Sequence, residues 1–301
     1  MKTPKYLQDK ISVIILNETE VINKSKYEVK NNRITLRSLD NVYLFVGDYY
    51  QNNIEIDILE ESDIQLYMIF KSSKTSNYEF NINIHNNAKL DIFTDIRNIA
   101  KVEVSFKRIF NLEENSILNI NNALLNMGQT NLHDEVNLNK ENAVVNIDQL
   151  NIGSYNDIFS VYQDIKHNAK STKSEINNSL ISSSTAKLKY SVSGYIYKGN
   201  EASVCNQANK GIILSELGEI EVEPKLFIDE YNVEASHGAA IGQVDDEQLY
   251  YLLSRGLTEM QARTLIISGY TKPFINKIQD EDIKLMIERQ ILKKINEVDI
   301  I

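Results

Sequence analysis

Four histidines and one cysteine are the side chains of this sequence best suited to metal binding or nucleophilic chemistry. No two histidines are spaced two or four residues apart, so a zinc site formed within one motif is not expected. The single Cys205 can neither form an intramolecular disulfide nor hold a metal cluster alone. Any metal chemistry would therefore have to draw on isolated side chains that the fold brings to a suitable place.

Three of the histidines lie in short polar segments that resemble turns. His85 is in NIHNNAK, His133 in NLHDE and His167 in KHNAK. We expect each of them to be a solvent-facing turn residue.

The fourth histidine, His237, lies in the segment PKLFIDEYNVEASHGAAIG, residues 224–242. This segment begins with a strand pattern and ends in small residues, which predicts a turn that carries His237. Small neighbours leave space beside the imidazole. That space could admit a ligand, a partner backbone or tight packing.

Four aspartates are candidates for carboxylate chemistry of a polysaccharide-degrading type: Asp91, Asp95, Asp148 and Asp164. Polar residues at alternate positions of a strand must occupy its outer edge in any case. A solvated face is therefore the favoured interpretation, and a carbohydrate-active enzyme is an alternative function.

Several classes of protein do not fit the sequence. The chain lacks GxxxxGK[ST], GxGxxG after a strand, GxSxG and HExxH, so any ATP must be hydrolysed by another chain. The net charge of −10 argues against a nucleic-acid binder, and the densest basic pair, Lys293 and Lys294, is expected on a solvated helix face. The apolar stretch at residues 11–16 is too short for a signal peptide or a membrane span, which predicts a cytoplasmic protein.

The elements that would position these residues are predominantly β-strands. Segments such as IEIDI (54–58) and YEFNINI (78–84) alternate apolar and polar residues with a period of two. A unit of turn and strand recurs with apolar positions at Ile64, Leu90, Leu118 and Val145, at intervals of 26, 28 and 27 residues. Weaker copies follow near Leu188 and Ile220.

A strand repeat of this length favours a right-handed parallel β-helix, in which stacked coils share one core. Asparagines that recur at like positions could form hydrogen-bonded ladders between the coils. A β-sandwich, which also has short strands at regular spacing, is the alternative fold.

The composition changes near residue 243, after which only Asn276 and Asn296 remain of the abundant asparagines. We therefore predict a β-helix core domain at residues 1–243 and a small C-terminal helical subdomain at residues 244–301. Asp245 and Thr258 are predicted N-caps with Gln248 and Gln261 completing capping boxes.

Three helices follow from these signals. Gly256 is placed to end the first helix in a left-handed conformation. Gly269 and Pro273 are expected to end the second helix, and a third begins near Asp280, with an apolar face that includes Ile283, Met286, Ile287, Ile291 and Ile295. The helices could pack on each other or on the end of the solenoid.

The sequence EPKLFIDEYNVEASHGAAIGQVDDEQLYYLLSRGLTEMQARTLIISGY, residues 223–270, resembles the C-terminal signature of the SufB/SufD family of iron–sulfur cluster assembly proteins. Within it, Ser-His-Gly-Ala at residues 236–239 resembles the SufD branch. The resemblance implies a β-helix fold and a scaffold subunit that is not itself an enzyme. It also implies pairing with a SufB-like subunit or with a second copy.

The resemblance further implies roles for particular residues. His237 is expected to be a metal ligand that helps to hold a nascent iron–sulfur cluster shared with the partner subunit. The helical tail is expected to dock a SufC-like ABC-type ATPase. Tyr251 and Arg255, four residues apart on one helix face and followed by Gly256, are the expected contact residues.

Two departures from the family pattern bear on the chemistry. Ala235 stands where many SufD-type members carry a cysteine, and Lys210 falls near the position of the SufB-type acceptor cysteine. Cys205 is interpreted as a structural or incidental thiol. A structural adaptor that has lost cluster chemistry is therefore a second alternative.

Overall fold

Alternating side chains determine how this chain folds. In β10 (Val102–Leu112), Val104, Phe106, Arg108 and Phe110 are buried, while the alternate residues between them face outward. A computed structural model describes residues 10, 12–16, 21–47, 53–98, 101–125 and 127–296. In this part of the chain, strands fill the sequence as far as Gln243 and helices follow from Asp246.

The described residues form 19 strands and three helices. The strands are β1 Val13–Leu16, β2 Val21–Asn23, β3 Glu28–Lys30, β4 Arg33–Leu36, β5 Leu39–Val46, β6 Ile54–Ile58, β7 Asp63–Ser72, β8 Ser76–Ile84, β9 Lys89–Asn98, β10 Val102–Leu112, β11 Ile117–Leu124, β12 Gly128–Leu138, β13 Val144–Gly153, β14 Ile158–His167, β15 Lys173–Ser182, β16 Lys187–Ile196, β17 Val204–Ile213, β18 Glu219–Ile228 and β19 Glu234–Gln243. The helices are α1 Asp246–Ser254, α2 Glu259–Ile275 and α3 Glu281–Asn296.

Successive strands from β4 onward alternate between two sheets, and each pairs in parallel with the strand two places further along. The ten-stranded sheet has the order β19-β17-β15-β13-β11-β9-β7-β5-β1-β2, and the nine-stranded sheet β18-β16-β14-β12-β10-β8-β6-β4-β3. This is a parallel β-solenoid of about seven turns, so the β-helix prediction is confirmed and the β-sandwich alternative is wrong.

The repeat in the sequence gives the register of the coils. Ile64, Leu90, Leu118 and Val145 are directly paired from β7 to β13, and all four are fully buried. The weaker copies at Leu188 and Ile220 pair with each other in the nine-stranded sheet, not in the ten-stranded one. The repeat therefore identified the coils correctly, but the predicted series combined residues that belong to two different sheets.

Asparagine ladders hold the turns between coils, as predicted. Asn142 donates to Asn115 at 3.1 Å, and Asn115 donates to Asn87 at 3.0 Å. All three have positive φ angles of 55–60°, a backbone region that asparagine tolerates better than most residues. Each asparagine therefore both turns the chain and links one coil to the next.

The predicted N-cap residues are confirmed, and one of the two predicted capping boxes is complete. Thr258 with Gln261 forms that box on α2, whereas Asp245 caps α1 by accepting from the Glu247 amide, without the predicted bond from Gln248. Asp280 caps α3 by accepting from the amides of Asp282 and Ile283. At the end of α1, Gly256 has a φ of 89°, as expected for a left-handed cap.

The prediction that Gly269 and Pro273 end the second helix is wrong, because α2 continues to Ile275. An internal proline costs about 3 kcal/mol. Phe274 and Ile275 lie beyond it and are buried, and each such burial contributes about 1.5–3 kcal/mol. Burial of this last turn therefore outweighs the broken hydrogen bond.

The helices contact one another and cover one side of the solenoid, so of the two predicted arrangements, packing on the end of the solenoid is wrong. Buried residues on the outer face of the ten-stranded sheet, including Tyr67, Phe93 and Leu150, form one apolar cluster with Phe274 and Ile287. The outer face of this sheet is thus a second apolar surface, which the alternation pattern did not reveal. Ion pairs from Lys10 to Asp280 and from Lys277 to Asp148 fasten the loop between α2 and α3 to the same face.

Lys294 is a further correction, because it is buried and not on a solvated face. Its ammonium is paired with the buried carboxylate of Asp157 and donates to Ser154 Oγ at 3.1 Å. A buried lysine is found almost only where such partners exist. The pair joins the end of α3 to the turn before β14.

Replacing Lys294 should loosen this attachment strongly. Lys294→Met leaves Asp157 buried without its cation, and we expect a loss of about 3 kcal/mol in the free energy of unfolding measured with urea. The exposed Lys272→Met on α2 is the matched control and should change the stability by less than about 0.5 kcal/mol. Equal stability of the two variants would contradict this account.

Candidate functional site

The described part of β19 contains His237, so the prediction of a turn at this residue is wrong. Backbone pairing with β17 sets Ala235, His237 and Ala239 beside Cys205, Gln207 and Asn209. Gly238 has no left-handed φ and takes an ordinary extended conformation. The small residues therefore continue the ladder of the sheet instead of turning the chain.

His237 lies in a column of inward-facing residues at the last coil. Paired residues of a parallel sheet point to the same face, and the column below His237 contains Gln207 and Ile176, which are 3% and 0% exposed. His237 is nevertheless exposed, because β19 is the terminal strand of its sheet. The imidazole therefore stands at the open mouth of the solenoid interior.

A series of hydrogen-bonded, buried polar side chains extends from the middle of the solenoid to the backbone beside His237. Asn209 donates to the carbonyl of Gly238 at 3.1 Å, and Asn178 donates to Asn209 at 2.8 Å. Behind them, Gln163 and Gln149 continue the chain. The backbone beside His237 is thus fixed by side-chain amides that are hydrogen-bonded in turn to residues of the preceding coils.

The other end of this hydrogen-bonded series is a buried ion pair. Asn122 donates a hydrogen bond to Gln149 at 3.1 Å and accepts one from Arg108 at 3.0 Å. Arg108 binds both oxygens of Asp134 at 2.7 and 2.6 Å, and neither side chain is exposed. Sequence analysis missed these residues. The signal was available, because Asn122, Gln149, Asn178 and Asn209 recur at paired positions of successive coils.

Cys205 lies one coil below Ala235 and is fully buried. Burial raises the pKa of its thiol, which disfavours the thiolate form needed for metal binding. Its Sγ would be 2.5 Å from a Cβ placed on Gly194, so the thiol is packed closely against the opposite strand. This position fits the predicted structural thiol.

The other histidines separate into three environments. His85 is in a turn after β8, as predicted, with Nδ1 3.3 Å from Glu113. His133 is in β12, not in a turn, and its Nε2 is 2.9 Å from Asp164, which raises the pKa of His133. His167 is fully buried, so its expected exposure is wrong; Thr172 and Ser174 bind its two ring nitrogens and make the burial tolerable.

The four candidate aspartates do not form one catalytic cluster. Asp164 is on the nine-stranded sheet, whereas the other three are on the ten-stranded sheet. Asp95 is buried, contrary to the expectation of a solvated face. Asp91 and Asp148 line a cleft of about 450 Å³, but Lys89 and Lys277 respectively bind them.

The residues expected to contact an ATPase are exposed on α1. The guanidinium carbon of Arg255 lies 5.1 Å from the centre of the Tyr251 ring, and Tyr251 is 55% exposed. Tyr250, on the same helix, is 74% exposed. The predicted pair is therefore formed and accessible, while its role as a docking site stays a prediction.

No group of three or more His, Cys, Asp or Glu side chains in the described part of the chain is arranged to hold a metal ion. None of the three helices described is both long enough and apolar enough to cross a membrane.

Comparison with known proteins identifies the class to which this fold and site belong. The family model of the "SUF system FeS cluster assembly, SufBD core domain" matches residues 46–270, which is more than half of the chain. The chain therefore belongs to the SufB/SufD family of iron–sulfur cluster assembly proteins. The resemblance noted in the sequence is confirmed.

The similar proteins include members named SufD. The iron–sulfur cluster assembly protein SufD of Bacillus subtilis (strain 168) is 28% identical over 173 residues, 58% of this chain and 40% of that protein. SufD of Escherichia coli (strain K12) is 34% identical over 89 residues, 30% of this chain and 20% of that protein. A SufBD family protein of Pyrococcus horikoshii is 42% identical over 82 residues, 26% of this chain and 18% of that protein. The chain thus spans less than half of the length of these relatives in each match.

The buried His167 predicts a specific dependence of stability on pH. Burial lowers its pKa to about 4, whereas an unfolded histidine titrates near 6.5. The unfolded chain therefore binds the proton first, so stability is complete above about pH 6.5 and is lost as the pH falls toward 4. We expect this residue to contribute about 3 kcal/mol to that loss.

His167→Gln keeps hydrogen-bonding capacity without the titration and serves as the comparison. Urea midpoints measured from pH 7 to pH 4.5 should fall more steeply for the wild type than for this variant. Parallel profiles would show that His167 does not titrate in this way.

Proposed function

We propose that the chain is a non-catalytic scaffold subunit of iron–sulfur cluster assembly. In this proposal it pairs through its open solenoid end, contributes His237 to a nascent cluster and docks a SufC-like ABC-type ATPase through its helical tail. The observation that carries the proposal is the position of an exposed imidazole on the terminal inward-facing column. Membership of the family supports the role in cluster assembly.

The open end supports pairing with another subunit. Within the described chain, β18 and β19 each have a strand neighbour on one side only. Their other edges present backbone N–H and C=O groups that a further strand could bind. Inward-facing Ile220 and Val222 are only partly buried there, which leaves apolar surface for a partner to cover. The partner would be a SufB-like subunit or a second copy of this chain.

The imidazole of His237 is suited to hold iron of the cluster, which is the cargo of the assembly. Histidine nitrogen ligates iron in some iron–sulfur centres. One imidazole supplies one ligand, Ala235 supplies none, and Cys205 is buried. In this proposal the remaining ligands therefore come from the partner subunit, so that the cluster forms only at the junction.

The helical tail supports the second contact. Besides Tyr251 and Arg255, the exposed apolar residues of α1 and α2 include Leu253, Met260 and Leu265, which are 38%, 48% and 49% exposed. Gly256 allows the sharp end of α1 that separates the two helices. In this division of work, residues 1–243 form the core domain that pairs, and residues 244–301 form the subdomain that docks the ATPase. The proposal includes a cytoplasmic location, where the reducing environment suits thiols and clusters.

The role of His237 can be tested by co-expression with SufB-like and SufC-like partners. His237→Ala should leave the complex assembled but lower its bound iron and acid-labile sulfide at least about tenfold, because one ligand is lost. His133→Ala, also on the solenoid but away from the terminal strands, is the control and should keep the wild-type iron content. Unchanged iron in His237→Ala would favour the alternative of an adaptor without cluster chemistry.

The tail contact predicts a different defect. Arg255→Glu with Tyr251→Ala removes both anchors, and we expect the affinity for the ATPase to fall at least about tenfold in a pull-down titration. Arg37→Glu, an exposed arginine near the other end of the solenoid, should bind the ATPase normally. Normal binding by the Arg255 variant would place the contact elsewhere.

A further inference from the structure

Gln207 lies directly below His237 in the same inward-facing column, one coil from the open end. Its side chain is 3% exposed, although β19 is the only strand above it in the ten-stranded sheet. Neighbouring strands are about 4.8 Å apart, and paired residues of a parallel sheet point to the same face. The fold therefore places the amide of Gln207 and the imidazole of His237 next to each other in one column.

The two ends of this amide differ in their hydrogen bonding. The nitrogen Nε2 donates to the backbone carbonyl of Lys225 at 3.2 Å, across the interior of the solenoid. The oxygen Oε1 is buried and accepts no hydrogen bond from any residue that the structure describes. Leaving a buried acceptor without a donor costs about 1–3 kcal/mol. Gln207 thus holds a costly, unused acceptor immediately below the imidazole.

The surroundings of the amide determine which of its two atoms is unused. Turning the amide over would place Oε1 against the carbonyl oxygen of Lys225, and two acceptors cannot form a hydrogen bond. Gly194, on the opposite strand β16, leaves room for the amide, because a Cβ there would lie only 3.3 Å from Nε2. The unpartnered atom is therefore the oxygen, and it is held in place through the nitrogen.

The inward face of β19 offers one side chain that could donate to this oxygen. Ala235, Ala239 and Ile241 share that face with His237 and carry no donor. Asn209, beside Gln207 on β17, already donates to the carbonyl of Gly238. The imidazole of His237 makes no side-chain hydrogen bond to another described residue, so its N–H is available.

The chemistry of a metal-binding imidazole calls for such an acceptor. A neutral imidazole has one N–H donor and one nitrogen with a free lone pair, and only the second can bind a metal. Histidines that ligate metals almost always donate their N–H to a carboxylate, a carbonyl oxygen or water. This second bond fixes the tautomer and the ring orientation, and it makes the ligating nitrogen more basic.

We propose that Gln207 is the positioning residue for His237. Its Oε1 accepts a hydrogen bond from one ring nitrogen once the ring turns toward the interior, and the other nitrogen is thereby directed outward to iron. The inference rests on the proposed function and names the residue that prepares the ligand. Because Lys225 anchors the amide, both strands of the last coil contribute to the orientation of the imidazole.

Two substitutions of Gln207 separate positioning from structural support. Each is co-expressed with the SufB-like and SufC-like partners, and transfer of iron from the assembled complex to a chelator is followed over time. Gln207→Met has a similar length but no acceptor, so iron release should be at least about tenfold faster than in the wild type. Gln207→Glu keeps an acceptor oxygen but cannot donate to Lys225. It should release iron at close to the wild-type rate, although its stability toward urea is lowered.

Asn151 provides the matched control. It is also a fully buried amide, its Oδ1 likewise accepts no hydrogen bond from a described residue, and its Nδ2 donates to Tyr190 at 3.0 Å. It is in β13, three strands away from β19 in the same sheet. Asn151→Leu therefore removes a comparable amide away from the open end and should release iron at the wild-type rate.

A double variant tests whether Gln207 acts through His237. Gln207→Met should cause no further loss of iron in a His237→Ala background, because the proposed hydrogen bond is already absent there. A general weakening of the last coil would instead add its effect to that of His237→Ala, as independent substitutions do.

Equally fast iron release from the Met and Glu variants would overturn the inference, because it would show a structural role. So would wild-type release from Gln207→Met while His237→Ala loses its iron, and this result would leave the proposed function standing. If Gln207→Glu does not assemble, Gln207→Met compared with Asn151→Leu at equal amounts of complex decides the question. Iron kept by His237→Ala would overturn the proposed function and the inference with it.

Discussion

The structure depends on the hydrogen-bonded stacking of one coil on the next. Each strand from β4 to β17 obtains its register from one neighbour and passes it to another, and each inward-facing column is buried only because a further coil covers it. Nothing in this stacking limits the number of coils. Where the chain leaves the solenoid at Gln243, the last coil keeps the inward columns but has no coil above. The exposure of His237 is a direct consequence of that constraint, not of a loop or a cleft.

The sequence carried enough information to predict the coils because the stacking repeats itself. Apolar residues at Ile64, Leu90, Leu118 and Val145 recur at nearly constant intervals, and the structure pairs them directly. The helix N-caps at Asp245 and Thr258 could also be predicted, because an N-cap depends on residues within three or four positions of each other. Features that depend on neighbouring residues or on a regular repeat are therefore the ones that this sequence predicts best.

Buried polar residues were not readable in the same way. Arg108, His167 and Lys294 belong to types that normally face water, and each is buried because a partner in another strand or turn satisfies it. Asp157, the partner of Lys294, is 137 residues away in sequence. A period-two pattern indicates which residues share a face, but it does not identify the partners that make the burial of a polar or charged side chain tolerable. His237 was misplaced for a related reason, because small residues that look like a turn extend a strand when a neighbouring strand provides the pairing.

The side on which the helices pack decides what the open end can do. If α1–α3 had covered the last coil, the columns ending at His237 and Phe227 would have been closed by the chain itself. The apolar outer face of the ten-stranded sheet instead binds the helices, and their contacts with that sheet are strongest at β13 and β15, below the terminal strand. Because that face is lined by Tyr67, Phe93 and Leu150, leaving it uncovered would expose large apolar side chains to water. The fold thus covers this apolar face internally and leaves the edges of β18 and β19 open.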